Sequence, residues 1–285
     1  MTGAASPARR PISQRLDTFL LLATGAASWR AQTETLAAQL RRPIPLSCRT
    51  LVAPTATGAA AHTLATHLAA MLTRSRKLPG LLLNATGRSR DQHLQWPPKH
   101  PLTPPTTATE ARQQVGVGPD GLLGVLHLDE WSQQPPAAWD QARAQLFRFY
   151  DTVTTYTNPL TAESLAQACP HLHAIVLVTP AKRAAVERGR ELLQEVQLQA
   201  AQAPTTPSTP RQAQLLHAIT VHDPGPVLIP RLNDNEVLLP YDPVLARTSK
   251  GRTRAPGLLS RRSSNAVAQL AAELVTAAIP SEAQA

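Results

Sequence analysis

The chain has 285 residues, 42% hydrophobic and 16% charged, enough for one large domain with a buried core. Two cysteines, Cys48 and Cys169, exclude a disulfide framework and a cysteine metal site and predict buried or half-buried thiols in a reducing compartment. The formal charge of +9 attracts nucleic acid, anionic lipid or acidic proteins without selecting among them.

Aromatics at 4% predict a core of Leu, Val and Ala. The 27 prolines predict long connecting loops. Residues 1–45 read as an arm followed by a helix, WRAQTETLAAQLRRP, stopped at Pro43. In the arm, Arg9, Arg10 and Arg15 precede LDTFLLLATGAAS, but Asp17 interrupts a run of only about ten apolar residues, unlike an export signal. No stretch approaches the ~20 apolar residues of a membrane span, and a cytoplasmic location is expected.

Residues 46–279 read as a single α/β domain, with a tail at 280–285. LSCRTLVA is a buried strand, followed by a helix from about Ala59 to Arg76. Pro79-Gly80 breaks the chain before a second strand, LLLNA, and residues 87–119 read as a long loop. GLLGVLHLD is a third strand. In the helix PPAAWDQARAQLFRFY, Trp139, Ala142, Leu146 and Phe149 recur at helical spacing. DTVTTYT (strand), AESLAQAC (helix), LHAIVLVTP (strand) and a long helix over 181–203 follow, with a second loop near 204–211. LLHAITVH and EVLLPYD are strands, and SSNAVAQLAAELVTAA is the last helix. Apolar strands alternating with helices predict a mostly parallel sheet covered on both faces, in which ligands bind beyond the carboxyl ends of the strands.

Several segments carry a resemblance. Arg41-Arg42-Pro43 precedes the first strand, APTATGAAAHTLATHLA follows it, and YDTVTTYTN, IVLVTPAKRAA and LPYDPVLA come in that order. Over roughly residues 36–278 this order resembles the ParA/MinD-type ATPases, of the deviant P-loop class, and most of all their actinobacterial members associated with type VII secretion. The resemblance implies a P-loop-like three-layer fold and a phosphate loop between the first strand and its helix. Such a loop surrounds phosphates with backbone N–H groups, while lysine adds charge and Ser/Thr holds magnesium.

Laid onto that pattern, the signature lysine falls at Ala56, the glycine pair at Thr57-Gly58, the second lysine at Ala61 and the magnesium ligand at His62. Thr63 fits. The two acidic stations fall at Asn84 and Tyr156. Phosphoryl transfer depends on positioning and charge neutralisation, and imidazole suits magnesium badly. The implied function is a catalytically inactive pseudo-ATPase acting as a binding or adaptor protein, with no catalytic residue, metal or cofactor. Its expected partner is another protein, an active ParA-like ATPase or a secretion component, and dimerisation fits the family. ATP with magnesium remains open only through the helix N-terminus, whose N–H groups can hold an anion. An accidental alanine-rich turn is the competing reading.

Two alternatives stand behind this reading, a residual nucleotide-binding ATPase as the second and non-specific DNA binding through the 247–262 segment as the first. Between Asp242 and Glu273 there is no acid, while Arg247, Lys250, Arg252, Arg254, Arg261 and Arg262 fall there. A solvated loop explains the same run. GVLHLDE offers Asp129 and Glu130 as a magnesium and water pair, weakly without a lysine loop. His62 and His67 are not spaced as a zinc pair. His171, His173, His217 and His222 are expected to lack the carboxylate or cysteine company of a metal site and read as structural or solvent-facing.

Overall fold

The protein is described here by a computed structural model covering residues 30–44, 47–57, 60–87, 104–117, 121–202, 213–247 and 258–279. The arm, Gly58, Lys250, Arg252, Arg254, the 204–211 loop and the tail lie outside these residues, and so does the side chain of Arg247.

Eight strands form one sheet: β1 (Cys48–Pro54), β2 (Gly80–Ala85), β3 (Gly116–Val117), β4 (Leu123–His127), β5 (Thr152–Thr157), β6 (Ala174–Pro180), β7 (Gln214–Thr220) and β8 (Glu236–Leu239). Their order is β3-β4-β2-β5-β1-β6-β7-β8, and every pair is parallel except β3 with β4. The predicted α/β class and mostly parallel sheet are therefore present. Every residue of β2 and β5 is buried, as a sheet covered on both faces requires. The threonines of β5 suit this site because their branched side chains pack well on a pleated surface.

Side-chain alternation along each strand divides the core in two. On one face Val52, Leu82, Val176, Leu216 and Leu239 meet α1 (30–40), α2 (Ala61–Arg76), α7 (Pro243–Arg247) and α8 (Arg261–Ala278). On the other, Leu51, Leu83, Leu126, Val153 and Leu177 meet α4 (Ala137–Gln145), α5 (Ala162–Ala168) and α6 (Arg183–Gln202). The expectation of a core without aromatics holds for the first face only, apart from Tyr156. Trp131, Trp139 and Phe147 gather on the second, with ring centroids 5.5 and 5.4 Å apart in edge-on pairs.

The segment predicted as one long loop over 87–119 contains α3 (Ala108–Gln113) and the edge strand β3. The reason is local. Thr107 Oγ1 accepts from the Glu110 N–H at 3.2 Å, and Glu110 reaches back to the Thr106 N–H at 2.7 Å. This is close to a capping box, enough to start a short helix. Thr161 caps α5 and Ser260 caps α8 in the same way, each accepting from an N–H three residues on. α2 differs. Its N-cap is Ala60, with no side-chain cap and no acid in the first turn.

Both cysteines are free and buried, as expected. Burial pushes the Cys48 thiol up to about 12 and the Cys169 thiol to about 11, so neither is a nucleophile at neutral pH. Among the described residues, no helix is long and apolar enough to cross a membrane.

Candidate functional site

β1 and β6 lie side by side, yet their connections part. β1 leads to α2 on one face and β6 to α6 on the other. Such a divergence opens a crevice at the carboxyl ends of the two strands. The Thr55 N–H donates to Val178 O at 2.9 Å, holding the strands together up to that point. Ala56 and Thr57 are exposed beyond it, and α2 begins at Ala61, which is buried. The uncapped first turn of α2 leaves backbone donors there without a side-chain partner. Thr63 is buried in that turn, and its Oγ1 has no partner.

The sheet brings Asn84 and Tyr156 together. They are register partners on adjacent strands, and Asn84 also pairs in register with His127 on β4. Asn84 Nδ2 donates to His127 Nδ1 at 2.8 Å, so that imidazole is neutral with its proton on Nε2. Asn84 Oδ1 accepts from the Thr86 N–H at 3.1 Å and the Thr86 hydroxyl at 2.7 Å. Both ends of the amide are therefore occupied within the protein. Asn158 Nδ2 donates to Glu130 Oε1 and to Thr86 O, which ties Glu130 to the same rim.

His62, on α2, packs its ring edge-on against Tyr156 with centroids 4.8 Å apart. Burial, with His127 nearby, holds His62 below the ordinary histidine pKa. Burial likewise raises the Tyr156 phenol far above its ordinary value. At neutral pH the cluster His62, Asn84, His127 and Tyr156 is thus uncharged. Its nitrogen and phenol groups are poorly matched to magnesium, which takes oxygen ligands and usually one or two carboxylates. Among the described residues no group of three His, Cys, Asp or Glu side chains could hold a metal ion.

Of the residues singled out in the sequence, Ala56 and Thr57 lie in the exposed turn after β1, Ala61, His62 and Thr63 in the first turn of α2, and Asn84 and Tyr156 near the carboxyl ends of β2 and β5. The sequence did not point to His127, Thr86 or Asn158, whose part depends on strand order. Of the basic segment, Arg261 and Arg262 are described, exposed in the first turn of α8.

One reading is corrected. His217 does have a carboxylate partner: its Nδ1 lies 2.9 Å from Glu236 Oε1, while its Nε2 lies 2.8 Å from Thr179 Oγ1. The sequence hides this because Glu236 sits on β8, which only the sheet sets beside β7. The Thr–His–Glu line has the order of a nucleophile, base and orienting acid. Yet Thr179 and His217 are both fully buried, so no substrate reaches them. His217 is structural, as expected, though not unaccompanied.

The chain matches no family model and no curated protein. Among the solved structures that resemble it are the following two. One is a ParA family ATPase from Chlorobium tepidum TLS, 11% identical, with 79% of this chain and 97% of that one covered at a TM-score of 0.46. The other is a candidate plasmid partition protein from Borrelia burgdorferi B31 bound to AMPPNP, 12% identical, with coverage of 80% and 98% and a TM-score of 0.49.

Proposed function

We propose that this chain is a ParA/MinD-like protein that acts by binding, as an adaptor for another protein, and does not hydrolyse ATP. The observation that carries the reading is the uncharged pair at the carboxyl ends of β2 and β5. Asn84 and Tyr156 stand at the two positions where the resemblance calls for acids, and they are neighbours in register. Asn84 already gives its oxygen to Thr86 and one N–H to His127, and the His62 ring lies against Tyr156. Neither position offers the charge that phosphoryl transfer requires. By the same resemblance the partner is an active ParA-like ATPase or a secretion component, and a second copy of the chain is a further candidate.

The test is phosphate release from magnesium-ATP by the purified protein, together with its thermal unfolding in the same mixture. Neither turnover nor a stabilising shift is expected. A ligand present at a hundred times its dissociation constant adds about 2.7 kcal/mol, so magnesium-dependent stabilisation of that size would reinstate nucleotide binding and sink the proposal.

A second reading, non-specific DNA binding through the 247–262 segment, has one supporting observation. Arg261 and Arg262 occupy the first turn of α8, which has no acid. Cations there oppose the helix dipole, and a bound polyanion would offset that. Its test is the salt dependence of duplex binding. The logarithm of the affinity should fall steeply with the logarithm of salt concentration, and a flat response removes this reading.

A further inference from the structure

The end of the sheet opposite the crevice carries an exposed basic surface, and one side chain assembles it. Arg76, in the last turn of α2, donates from Nη1 to Leu40 O at 2.8 Å and to Arg42 O at 2.7 Å. Its Nε and Nη2 grip Asp151, just before β5, at 2.5 and 3.2 Å. Both side chains of this ion pair are largely buried, and a two-pronged fork of this kind fixes position as well as charge. The carboxyl end of α1 is thereby held against the carboxyl end of α2. Arg41 adds a bond of its own, from Nε to Ser75 O at 3.4 Å.

These bonds bring Arg41 and Arg42 beside Arg74 and Lys77, and all four are exposed. Asp151 is taken by Arg76, and Arg41, Arg42 and Lys77 form no ion pair among the described residues. Helix carboxyl ends favour nearby cations, which is a sufficient reason for the charge alone. It gives no reason for Leu78, which follows Lys77 and is 43% exposed.

An apolar side chain among arginines on a fixed frame is the composition of a protein interface, where arginine is enriched and an apolar centre is ringed by polar groups. Duplex phosphates attract the cations but offer the leucine nothing. A bilayer surface is commonly gripped by Trp or Tyr, and segments 40–44 and 74–79 contain neither. We propose that Arg41, Arg42, Lys77 and Leu78 are the docking surface for the protein partner, and that the partner meets it with an acidic segment carrying an apolar side chain. The class of partner rests on the adaptor reading above. The surface itself lies before the amino ends of β2 and β5, away from the crevice at their carboxyl ends.

The experiment reads the fluorescence anisotropy of a labelled helical peptide, glutamates flanking one leucine, titrated with the full chain in the absence of nucleotide. Saturable binding is expected, and exchanging the glutamates for glutamine should abolish it. Arg42→Gln and Lys77→Asn should each weaken it about tenfold, within the range of close charge pairs across an interface. Neither change disturbs the frame. Arg76 holds the Arg42 carbonyl and not its side chain, and asparagine tolerates the left-handed backbone of Lys77, φ 56°. Leu78→Ala should weaken binding of the leucine peptide but not of its alanine version, as a direct contact requires. Arg183→Gln, an exposed cation paired with Glu187 on α6, should leave binding unchanged. Absence of saturable binding, an equal loss in the Arg183 variant, or an equal effect of Leu78→Ala on both peptides overturns the proposal. So does tighter binding of duplex DNA or of phosphatidylserine vesicles through the same residues, which would assign the surface to phosphate. The crevice takes no part in the titration, so failure here leaves the reading of that site standing. ATP turnover would sink that reading and leave the peptide result intact.

Discussion

Two histidine clusters on the same sheet have opposite fates. Around His217 everything is enclosed: Thr179, Glu236 and the Asn233 N–H complete the network, and Arg190 closes it with bonds of 2.8 and 2.6 Å to the two carboxylate oxygens. Around His62 the groups are neutral, and His62 keeps one side exposed at the mouth of the crevice while its ring, packed on Tyr156, is partly desolvated. The first has the geometry of a catalytic line and no access. The second has access and no charge. A polar constellation becomes a site only when both are present, and here each cluster has one.

The largest expected effect lies in the enclosed cluster. Glu236→Ala strands Arg190 and leaves His217 without its partner, and removal of one member of a buried pair costs about 3–5 kcal/mol. Urea unfolding should show that loss, whereas a change under about 1 kcal/mol, the scale of a surface pair, would mean that the enclosure is not tight.

Next in size is Gly189→Ala. A Cβ at Gly189 would lie 2.7 Å from His217 Nε2 and 2.8 Å from Thr179 Cγ2, so α6 must move away. Overpacking of this kind costs about 1–3 kcal/mol, read from the same urea curves. Neutral behaviour would show that α6 does not depend on that close approach.

Acid sharpens the contrast further. Arg190, with help from Asn233 and His217, holds Glu236 down at about 2 against its burial. A carboxylate whose folded pKa is depressed contributes stability above its unfolded value of about 4.3, and that stability is lost as pH falls towards 2. Burial lowers the His217 pKa despite Glu236, so the unfolded chain binds that proton more readily. Its contribution is complete above the unfolded value of about 6.5 and declines below it. Stability should therefore fall in two stages on acidification. Glu236→Gln should flatten the lower stage and His217→Gln the upper one, measured by urea midpoints from pH 7 to pH 3. An unchanged profile in both variants would remove the account.

The smallest effect belongs to the open cluster. His62→Ala should change stability by no more than about 0.5 kcal/mol near pH 7, the range of ordinary surface substitutions, and should slightly soften the fall below the unfolded value of about 6.5, because its own lowered pKa contributes to that fall. A large loss would mean that the His62–Tyr156 contact is part of the core and not a cover over the crevice.

Most elements were legible because their signals are local. The Leu and Val runs of β1, β2 and β6 and the 3.6-residue spacing in α4 need no partner to be read. The capping residues of α3, Thr107 and Glu110, were also present in the sequence, and the long-loop reading passed over them because proline dominated the stretch. β3 was beyond reach, since two residues, Gly116 and Val117, carry no periodicity and gain their state from pairing with β4. Between β1 and α2, the absence of lysine at Ala56 and Ala61 could be read directly. The bond from Asn84 to His127 could not, because His127 lies 43 residues away and meets it only through the register of β2 with β4.

Legible in the chain alone were the alternation of buried strands and covering helices, the uncharged residues between β1 and α2 and the separation of its two thiols. Each depends on residue type and near-neighbour spacing, which the chain carries in any conformation. Only the folded sheet sets β1 between β5 and β6, Asn84 beside Tyr156 and Glu236 against His217. Those meetings follow from strand order and from which face each crossover helix covers, and both are settled by packing across the whole sheet rather than by any local pattern.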